Sequence, residues 1–343
     1  MAILFPVTCF SNKMPPSIEV RHRKGIYLPE PDLWLDPPRG KARAFVSHAH
    51  SDHFARHQLT ICSSATQSLI QARYGKPRAG ELRSLEYRQP MELDGFSLQL
   101  LPAGHILGSS MLHITRLSDG ATLLYTGDFK LVHGLTAEPA ELLQADTLIM
   151  ETTFGLPHYK FPPRENVAAD VLAFIKTTME HDGIPVLLGY SLGKAQEILA
   201  SLAGAGHPVM VDESIARMNR VFTNHGIIFP EHHLLKIGEA AGHIVIAPPQ
   251  RVHGLRKLTN CRIAMLTGWA LNKSAKYRYR VDEAFPLSDH ADYDELLQCV
   301  AQTKPRLIYT VHGSTTEFAR DLRQRGHEAW SLVKDEQREL SLA

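Results

Sequence analysis

Six consecutive residues concentrate side chains that are well suited to bind metal ions. His48-Ala49-His50-Ser51-Asp52-His53 carries three imidazoles and one carboxylate, directly after an apolar run. Burying so many polar rings without partners is costly, and neutral imidazole is the commonest protein ligand for zinc-like ions. We therefore predict that His48 and His50 face one ion and that Asp52 and His53 face a second. The alternative is a solvated, histidine-rich loop.

Four side chains cannot complete two metal sites, so further ligands are expected at the ends of later strands. His105 follows the predicted strand Phe96–Leu101, and Asp128 follows the predicted strand Thr122–Tyr125. A bridging aspartate can hold two ions roughly 3.5–4 Å apart, as in two-metal hydrolases. In isolation His105 could be a turn residue and Asp128 a helix cap. Beside the histidine cluster, both are predicted to be ligands.

Three later segments carry residues of the same types. Glu151 comes directly after an apolar strand, and His312 comes directly after the last predicted strand, where it could supply another nitrogen ligand. His290 lies in a segment that opens a predicted helix. Ser288 or Asp289 in that segment could equally be an ordinary N-cap.

The overall composition restricts the class of protein. The chain has 343 residues with a formal net charge of +1, 44% hydrophobic residues and 19 histidines, which is typical of a globular protein and not of a disordered one. No apolar run reaches the length of about 20 residues that spans a bilayer. The segment 1–7 is too short and lacks the basic head of a signal peptide, so a cytoplasmic protein without a membrane partner is expected. The cysteines form no CxxC pair, which predicts reduced, mostly buried thiols at Cys9, Cys62, Cys261 and Cys299.

The order of apolar segments predicts an α/β protein. Short strands alternate with helical segments, and from about Pro157 a strand–helix repetition predicts a parallel sheet with crossover helices. The first of those helices is expected to bury a stripe of Val167, Val171, Leu172 and Ile175. We predict that residues 156–284 form a second domain, inserted between segments 1–155 and 285–343 of the first.

These residues resemble the ligand set of the metallo-β-lactamase superfamily. Glu151, His290 and His312 are similar to the later motifs of its β-CASP nucleases, which include RNase J and Artemis. The resemblance implies an αββα sandwich with an inserted compact β-CASP α/β domain. It also implies two divalent ions, with Zn²⁺ favoured and Mn²⁺ tolerated. The implied metal ligands are His48, His50, Asp52, His53, His105, Asp128 and His312.

The likeness extends further to the bacterial ligase-associated DNA exonucleases. It rests on segments such as Leu33–Pro38, Glu151–Pro157, Leu192–Gln196 and Leu287–Asp292. It implies a nuclease that shortens DNA in repair or processing, with a DNA ligase or helicase as a protein partner. In the β-CASP family a histidine at the position of His312 is common in RNA-acting members, so RNA processing remains the alternative.

The resemblance also implies how three residues act. Asp52 would orient the water that attacks phosphorus as well as bind metal, and His290 would protonate the leaving oxygen while Glu151 holds it. Glu151 could instead support a metal-binding histidine. A glyoxalase II-like thioester hydrolase would keep the metal ligands but would not need His290. A non-catalytic scaffold of the same fold would usually lack some of the ligands, and none is missing here.

Two segments are candidates for binding the substrate. Ser191, Gly193 and Lys194 lie between a predicted strand and a helix, where free backbone N–H groups can bind an anion, and the alternative is a solvated loop. The basic residues near 280 could neutralise backbone phosphates, or they could belong to a charged strand with alternating faces. These are Lys276, Arg278 and Arg280.

Overall fold

The computed structural model describes residues 17–75 and 80–332. The segment 1–7 and Cys9, on which two of the sequence predictions fall, lie outside the described residues. Within the described part of the chain, Cys62 and Cys299 are buried thiols and Cys261 is half-buried, in agreement with the prediction for those three. No helix in the described ranges is long and apolar enough to cross a bilayer.

Two sheets face each other across one apolar core. The first has six strands in the order β1-β2-β3-β4-β5-β6, and the second has seven in the order β19-β18-β11-β10-β9-β8-β7. The strands of the first are β1 (Arg21–His22), β2 (Ile26–Leu28), β3 (Leu33–Leu35), β4 (Arg43–Phe45), β5 (Leu59–Ser63) and β6 (Glu81–Leu85). Those of the second are β7 (Met91–Leu93), β8 (Phe96–Pro102), β9 (Ser110–Arg116), β10 (Thr122–Tyr125), β11 (Thr147–Thr152), β18 (Leu307–Gly313) and β19 (Ala329–Ser331).

Helices cover the outer faces of both sheets. On the first sheet α1 (Ser64–Tyr74) packs its Leu69 and Ile70 into a cluster that includes Cys62. On the second sheet α7 (Tyr293–Thr303) and α8 (Thr315–Gln324) bury Leu296 and Phe318. Helix, sheet, sheet and helix therefore form four layers, which is the predicted αββα sandwich of the metallo-β-lactamase fold.

A third sheet is formed by the chain between β11 and β18. Its six strands are all parallel, as predicted, and run in the order β14-β13-β15-β12-β16-β17. They are β12 (Ile184–Leu188), β13 (Val209–Val211), β14 (His232–Leu234), β15 (Ile244–Ala247), β16 (Cys261–Leu266) and β17 (Glu283–Phe285). The helices of this region are α2 (Arg164–Met179), α3 (Lys194–Ser201), α4 (Glu213–Asn224), α5 (Val252–Leu255) and α6 (Ala275–Tyr279). Strand β17 ends one residue past 284, and the division into domains stays a prediction.

One local prediction is wrong, and two alternatives that the sequence left open are excluded. Leu172 is 40% exposed, and Phe174 fills the corresponding place in the core of the third sheet. The helix that follows His290 is capped by Asp292, whose carboxylate accepts a hydrogen bond from the Glu295 amide at 3.0 Å, so neither Ser288 nor Asp289 is its N-cap. The basic segment is the short helix α6 and not a strand with alternating faces.

Candidate metal centre

The predicted ligands meet because their strands end at one edge of the sandwich. Strands β8, β10, β11 and β18 of the second sheet all run in the same direction, since β8 and β10 are each antiparallel to β9 while β10, β11 and β18 are mutually parallel. Their carboxyl ends, which lead to His105, Asp128, Glu151 and His312, therefore lie at a common edge. The loop after β4 brings the segment His48–His53 to the same edge.

Three imidazole nitrogens converge at the first position. His48 Nε2 lies 3.0 Å from His50 Nδ1, which lies 3.2 Å from His105 Nε2. Nitrogens bound to one tetrahedral zinc ion at about 2.0–2.1 Å stand roughly 3.3 Å apart, which is close to this spacing. One ligand atom each from these histidines and from Asp128 lies within 4.8 Å of the others. The donor set therefore fits one divalent cation.

The nitrogen on the far side of each ring is tied to the protein. His48 contacts the Ser47 hydroxyl at 3.0 Å. His50 contacts the Leu192 carbonyl at 3.1 Å, and His105 contacts the Asp289 carbonyl at 2.8 Å. A carbonyl accepts only from a protonated nitrogen, so two of these bonds leave the inner nitrogen of the ring unprotonated and ready to bind a cation. Such outer contacts orient ligands in metalloproteins.

Asp128 stands between this group and a second one. Its Oδ2 atom lies 3.6 Å from His48 Nε2 on one side and 3.3 Å from His53 Nε2 on the other. His53 Nε2 is also 3.8 Å from Asp52 Oδ2. A carboxylate oxygen shared by two groups of donors matches the arrangement expected of an aspartate that bridges two ions.

Asp36 holds the second group in place and was not among the site residues predicted from the sequence. It is 8% exposed, and its carboxylate accepts hydrogen bonds from the Ser47 amide at 2.7 Å, from the Ser47 hydroxyl at 2.5 Å and from the Tyr125 hydroxyl at 2.8 Å. Its Oδ2 atom also lies 2.9 Å from His53 Nδ1, so the ring presents Nε2 to the site. An acidic residue directly after strand β3 was the sequence signal for it.

Asp52 and His312 stand at the open side of the centre. The Asp52 side chain is 78% exposed, and the His312 ring lies 5.3 Å from the His53 ring between centroids. His312 has a left-handed backbone with φ of 56°, and the pairing of β11 with β18 shifts register between Glu151 and Thr152. Such irregularities re-aim side chains at the ends of strands. That both residues bind metal stays a prediction.

The buried Glu151 and the half-buried His290 form a pair beside the centre. His290 Nδ1 lies 3.0 Å from Glu151 Oε2, while the Phe129 amide donates to Glu151 Oε1 at 2.8 Å and the Thr153 hydroxyl donates to Oε2 at 2.5 Å. Nδ1 therefore carries the proton that Glu151 accepts. Burial opposes the charged ring, yet Glu151 and Asp128 raise the pKa of His290 to about 10.

Two buried histidines of the first group, His48 and His105, shift in the opposite direction. Burial, together with the neighbouring imidazoles, lowers the pKa of His48 well below its usual value. Burial, followed by the charge of His290, lowers the pKa of His105 to about 3. These two rings are therefore neutral near pH 7, which is the form that binds metal. For Asp128, burial raises the pKa, but His53 and His290 outweigh it and hold that pKa well below its ordinary value.

The structure corrects the predicted role of Lys194. Its side chain is 3% exposed and lies in an ion pair with Asp289 at 2.9 Å, while Nζ also donates to the Leu287 carbonyl at 2.8 Å. The Gly193 amide donates to the Gln196 side chain at 2.7 Å, so it is not free to bind an anion. Of the three predicted residues in this loop, Ser191 lines the cleft described next.

A cleft of about 580 Å³ opens over the metal centre and is lined by residues of all three sheets and their loops. His50, Asp52, His53, Asp128, His290 and His312 form its floor and one side. Lys276, Arg278 and Arg280 are not among the residues that line it, and Lys276 lies 3.7 Å from Glu283. Their contact with a substrate stays a prediction.

Asp289 was considered only as a helix cap from the sequence, yet it connects three parts of the site. Its carbonyl contacts His105, its carboxylate pairs with Lys194 of α3, and that carboxylate lies 4.0 Å from His290 Nε2. The charge of Lys194 holds the pKa of Asp289 far below its ordinary value, although burial opposes this. Its place next to His290 in the sequence was the available signal.

Three kinds of comparison place the chain among known proteins. Residues 278–332 match the RMMBL family, described as the Zn-dependent metallo-hydrolase RNA specificity domain. A probable DNA ligase of Opitutus terrae is 44% identical over 326 residues, which cover 94% of this chain and 32% of the relative. The 5′ exonuclease Apollo of Gallus gallus is 32% identical over 296 residues, or 80% of this chain and 59% of the relative.

A solved structure supports the fold alone. A protein of unknown function from Enterococcus faecalis V583 matches 80% of this chain and 76% of its own length, with a TM-score of 0.56 and 13% identity.

The chain spans about a third of the ligase relative and three-fifths of the exonuclease relative. With the four-layer sandwich, the inserted parallel sheet and the histidine–aspartate cluster, these matches identify the chain as a member of the β-CASP branch of the metallo-β-lactamase superfamily.

Proposed function

We propose that this chain is a metal-dependent nuclease that hydrolyses phosphodiester bonds of DNA from an end, in repair or processing. The observation that carries the proposal is the position of Asp128 Oδ2, which faces both groups of histidine nitrogens and lies 4.0 Å from His290 Nδ1. Metal donors and a proton-donating pair thus face one cleft, as phosphodiester hydrolysis requires.

The proposed ligands divide into two groups around Asp128. His48, His50 and His105 would hold one ion, while Asp52, His53 and His312 would hold the other. Two divalent ions there would supply a water of lowered pKa and would neutralise the phosphate oxygens. Nitrogen and carboxylate donors favour Zn²⁺, and the same set tolerates Mn²⁺.

The remaining steps belong to side chains of the protein. Asp52 is exposed in the cleft, where its carboxylate can accept a proton from the attacking water and orient it. His290 donates a proton to the departing oxygen from Nε2, because Glu151 engages its Nδ1. Through the same contact Glu151 positions His290. Because Glu151 Oε2 lies 3.0 Å from His290 Nδ1, the role of Glu151 is not confined to supporting a metal-binding histidine.

DNA is favoured over RNA by the ligase relative, although other relatives are named as RNases, and not by any single residue. The ligase and exonuclease relatives carry names of DNA-directed or exonuclease enzymes, whereas the RMMBL description refers to RNA. We propose DNA as the substrate and cooperation with a DNA ligase or helicase. An RNA-processing ribonuclease is the second candidate, because His312 occupies the position that is commonly histidine in RNA-acting relatives.

The test uses the purified protein with end-labelled DNA and RNA, each single-stranded and double-stranded, in the presence of Zn²⁺ or Mn²⁺. We expect progressive shortening of DNA from one end and its loss in Asp52→Asn. Asp170→Asn, which alters an exposed aspartate of α2, is the matched control. Degradation of RNA with DNA untouched would overturn the choice of substrate.

A thioester hydrolase is distinguished by its dependence on His290. Such an enzyme would cleave a glutathione thioester, and His290→Ala would leave that activity largely intact. A nuclease would not cleave the thioester and would lose most of its rate in the same variant.

A further inference from the structure

One wall of the cleft is built by three neighbouring strands of the third sheet. Strands β15, β12 and β16 are adjacent and parallel, so the loops that follow their carboxyl ends emerge at one edge. Each loop contributes a residue to the cleft: Gln250 after β15, Tyr190 after β12 and Trp269 after β16. This wall contributes aromatic rings, an amide and a hydroxyl instead of metal ligands.

Trp269 is held in place by a cluster of aromatic side chains. Its ring is 4.8 Å from the Phe154 ring at an interplanar angle of 51°, and the Phe154 ring is 6.1 Å from the His290 ring. Gly268 permits this approach, because a Cβ atom there would come within 2.5 Å of Phe154 Cζ. Although packed on one side, Trp269 remains 41% exposed in the cleft.

Tyr190 is the second exposed aromatic side chain of the cleft. It is 53% exposed, and its backbone carbonyl accepts a hydrogen bond from the Ala195 amide at 3.0 Å, at the start of α3. Exposing two large rings to water beside a catalytic centre costs free energy that a bound ligand can recover. The cleft therefore offers two stacking surfaces near the reacting groups.

The cleft has few positive charges, so its aromatic wall is better suited to bind bases than phosphates. Among the described residues that line it, Arg73 is the one lysine or arginine, and its guanidinium already donates to the Ala49 carbonyl. Single-stranded nucleic acids bind to aromatic side chains by stacking of unpaired bases, whatever the sequence. A volume of about 580 Å³ lies in the range of pockets for small molecules, the size of one or two nucleotides.

We propose that Trp269 and Tyr190 stack on unpaired bases next to the scissile phosphate, so that the substrate is a single-stranded or frayed end. This inference rests on the proposed nuclease function for the meaning of the scissile phosphate. The binding of bases to the wall is measured separately from cleavage, so the failure of one is distinguishable from the failure of the other.

The first experiment measures binding and cleavage of a single-stranded oligonucleotide by Trp269→Ala and Tyr190→Ala. We expect each variant to bind roughly 5- to 150-fold more weakly, with a matching rise in KM and a retained kcat, because one stacked base is lost. Trp269→Phe should retain most of the affinity, since it keeps a ring and its packing on Phe154. Unchanged binding in both alanine variants would overturn the proposal.

The second experiment removes the bases in place of the rings. An oligonucleotide with abasic sites at its two terminal positions should bind the unchanged protein at least as weakly as the normal oligonucleotide binds Trp269→Ala, because both stacked bases are lost. The abasic substrate should show no further loss with that variant. If the alanine variant weakens both substrates by the same factor, Trp269 acts through the fold and the proposal fails.

Controls separate stacking from stability and from cleavage. Ile228→Ala shortens an apolar side chain that is 91% exposed but does not line the cleft, and it should leave binding unchanged. Thermal unfolding of every variant identifies any loss of folded protein. If the unchanged protein binds the oligonucleotide with base dependence but cleaves nothing, the nuclease proposal fails while base stacking is supported.

Discussion

The floor of the cleft and its aromatic wall are organised in different ways. On the floor, the donors are held by hydrogen bonds from behind, as His53 is by Asp36 and His290 by Glu151. On the wall, Trp269 is held by packing against Phe154 and keeps a free face. The difference indicates that groups for chemistry are oriented before substrate arrives, while groups for recognition offer surfaces without a fixed hydrogen-bond pattern.

Among variants of the floor and the wall, His290→Ala is expected to lower the rate of DNA cleavage most. Loss of a general acid lowers rates by about 10²- to 10⁴-fold, so kcat for DNA should fall within that range while binding of the oligonucleotide stays similar. Single-turnover cleavage with end-labelled DNA measures it. His207→Ala, at an exposed histidine outside the cleft, should match the unchanged protein. A similar rate in both variants would remove His290 from the mechanism.

Asp36→Asn is expected to have a smaller effect, which is a loss of affinity for metal. The amide lacks the second acceptor oxygen that now faces the Ser47 hydroxyl, the Tyr125 hydroxyl and His53, so the ring of His53 loses its orientation. Loss of such an outer partner lowers metal affinity or activity about 10- to 100-fold. Zn²⁺ titration of the apoprotein measures the affinity. Asp32→Asn changes an exposed aspartate at the other end of β3 and should not alter it.

The smallest effect on the reaction is expected from Lys194→Met, which tests the corrected role of this lysine. Removing one member of a buried pair costs roughly 3–5 kcal/mol of stability, measured by urea unfolding. The dependence of DNA binding on salt should stay unchanged. A phosphate-binding lysine would behave differently, because its loss would lower the salt slope by about 1 with little change in stability.

Much of the centre could be predicted from the chain because its ligands follow apolar strands. Parallel strands end at one edge, so acidic residues and histidines directly after them must meet, as Asp128 and His105 do. The pairing of Lys194 with Asp289 joins residues 95 positions apart, and no local pattern reports such a contact. No local pattern indicated that Leu172, on the same helix as Phe174, would face solvent, since both residues fit an apolar stripe.

The aromatic wall was not predicted for a similar reason. Tyr190 and Trp269 lie 79 residues apart in loops, and only the adjacency of β12 and β16 brings them to one cleft. Strand order in a parallel sheet is a tertiary property that hydrophobic periodicity does not encode.

The central claim is that two cations bind around Asp128, and metal analysis of the purified protein tests it most directly. After reconstitution with Zn²⁺ and removal of excess metal, we expect two ions per chain, with anomalous scattering peaks on either side of Asp128 Oδ2. Ala substitution of His48 and His53 together should abolish both peaks. A reconstituted protein that holds no ion among these histidines, or holds metal elsewhere, would contradict the account.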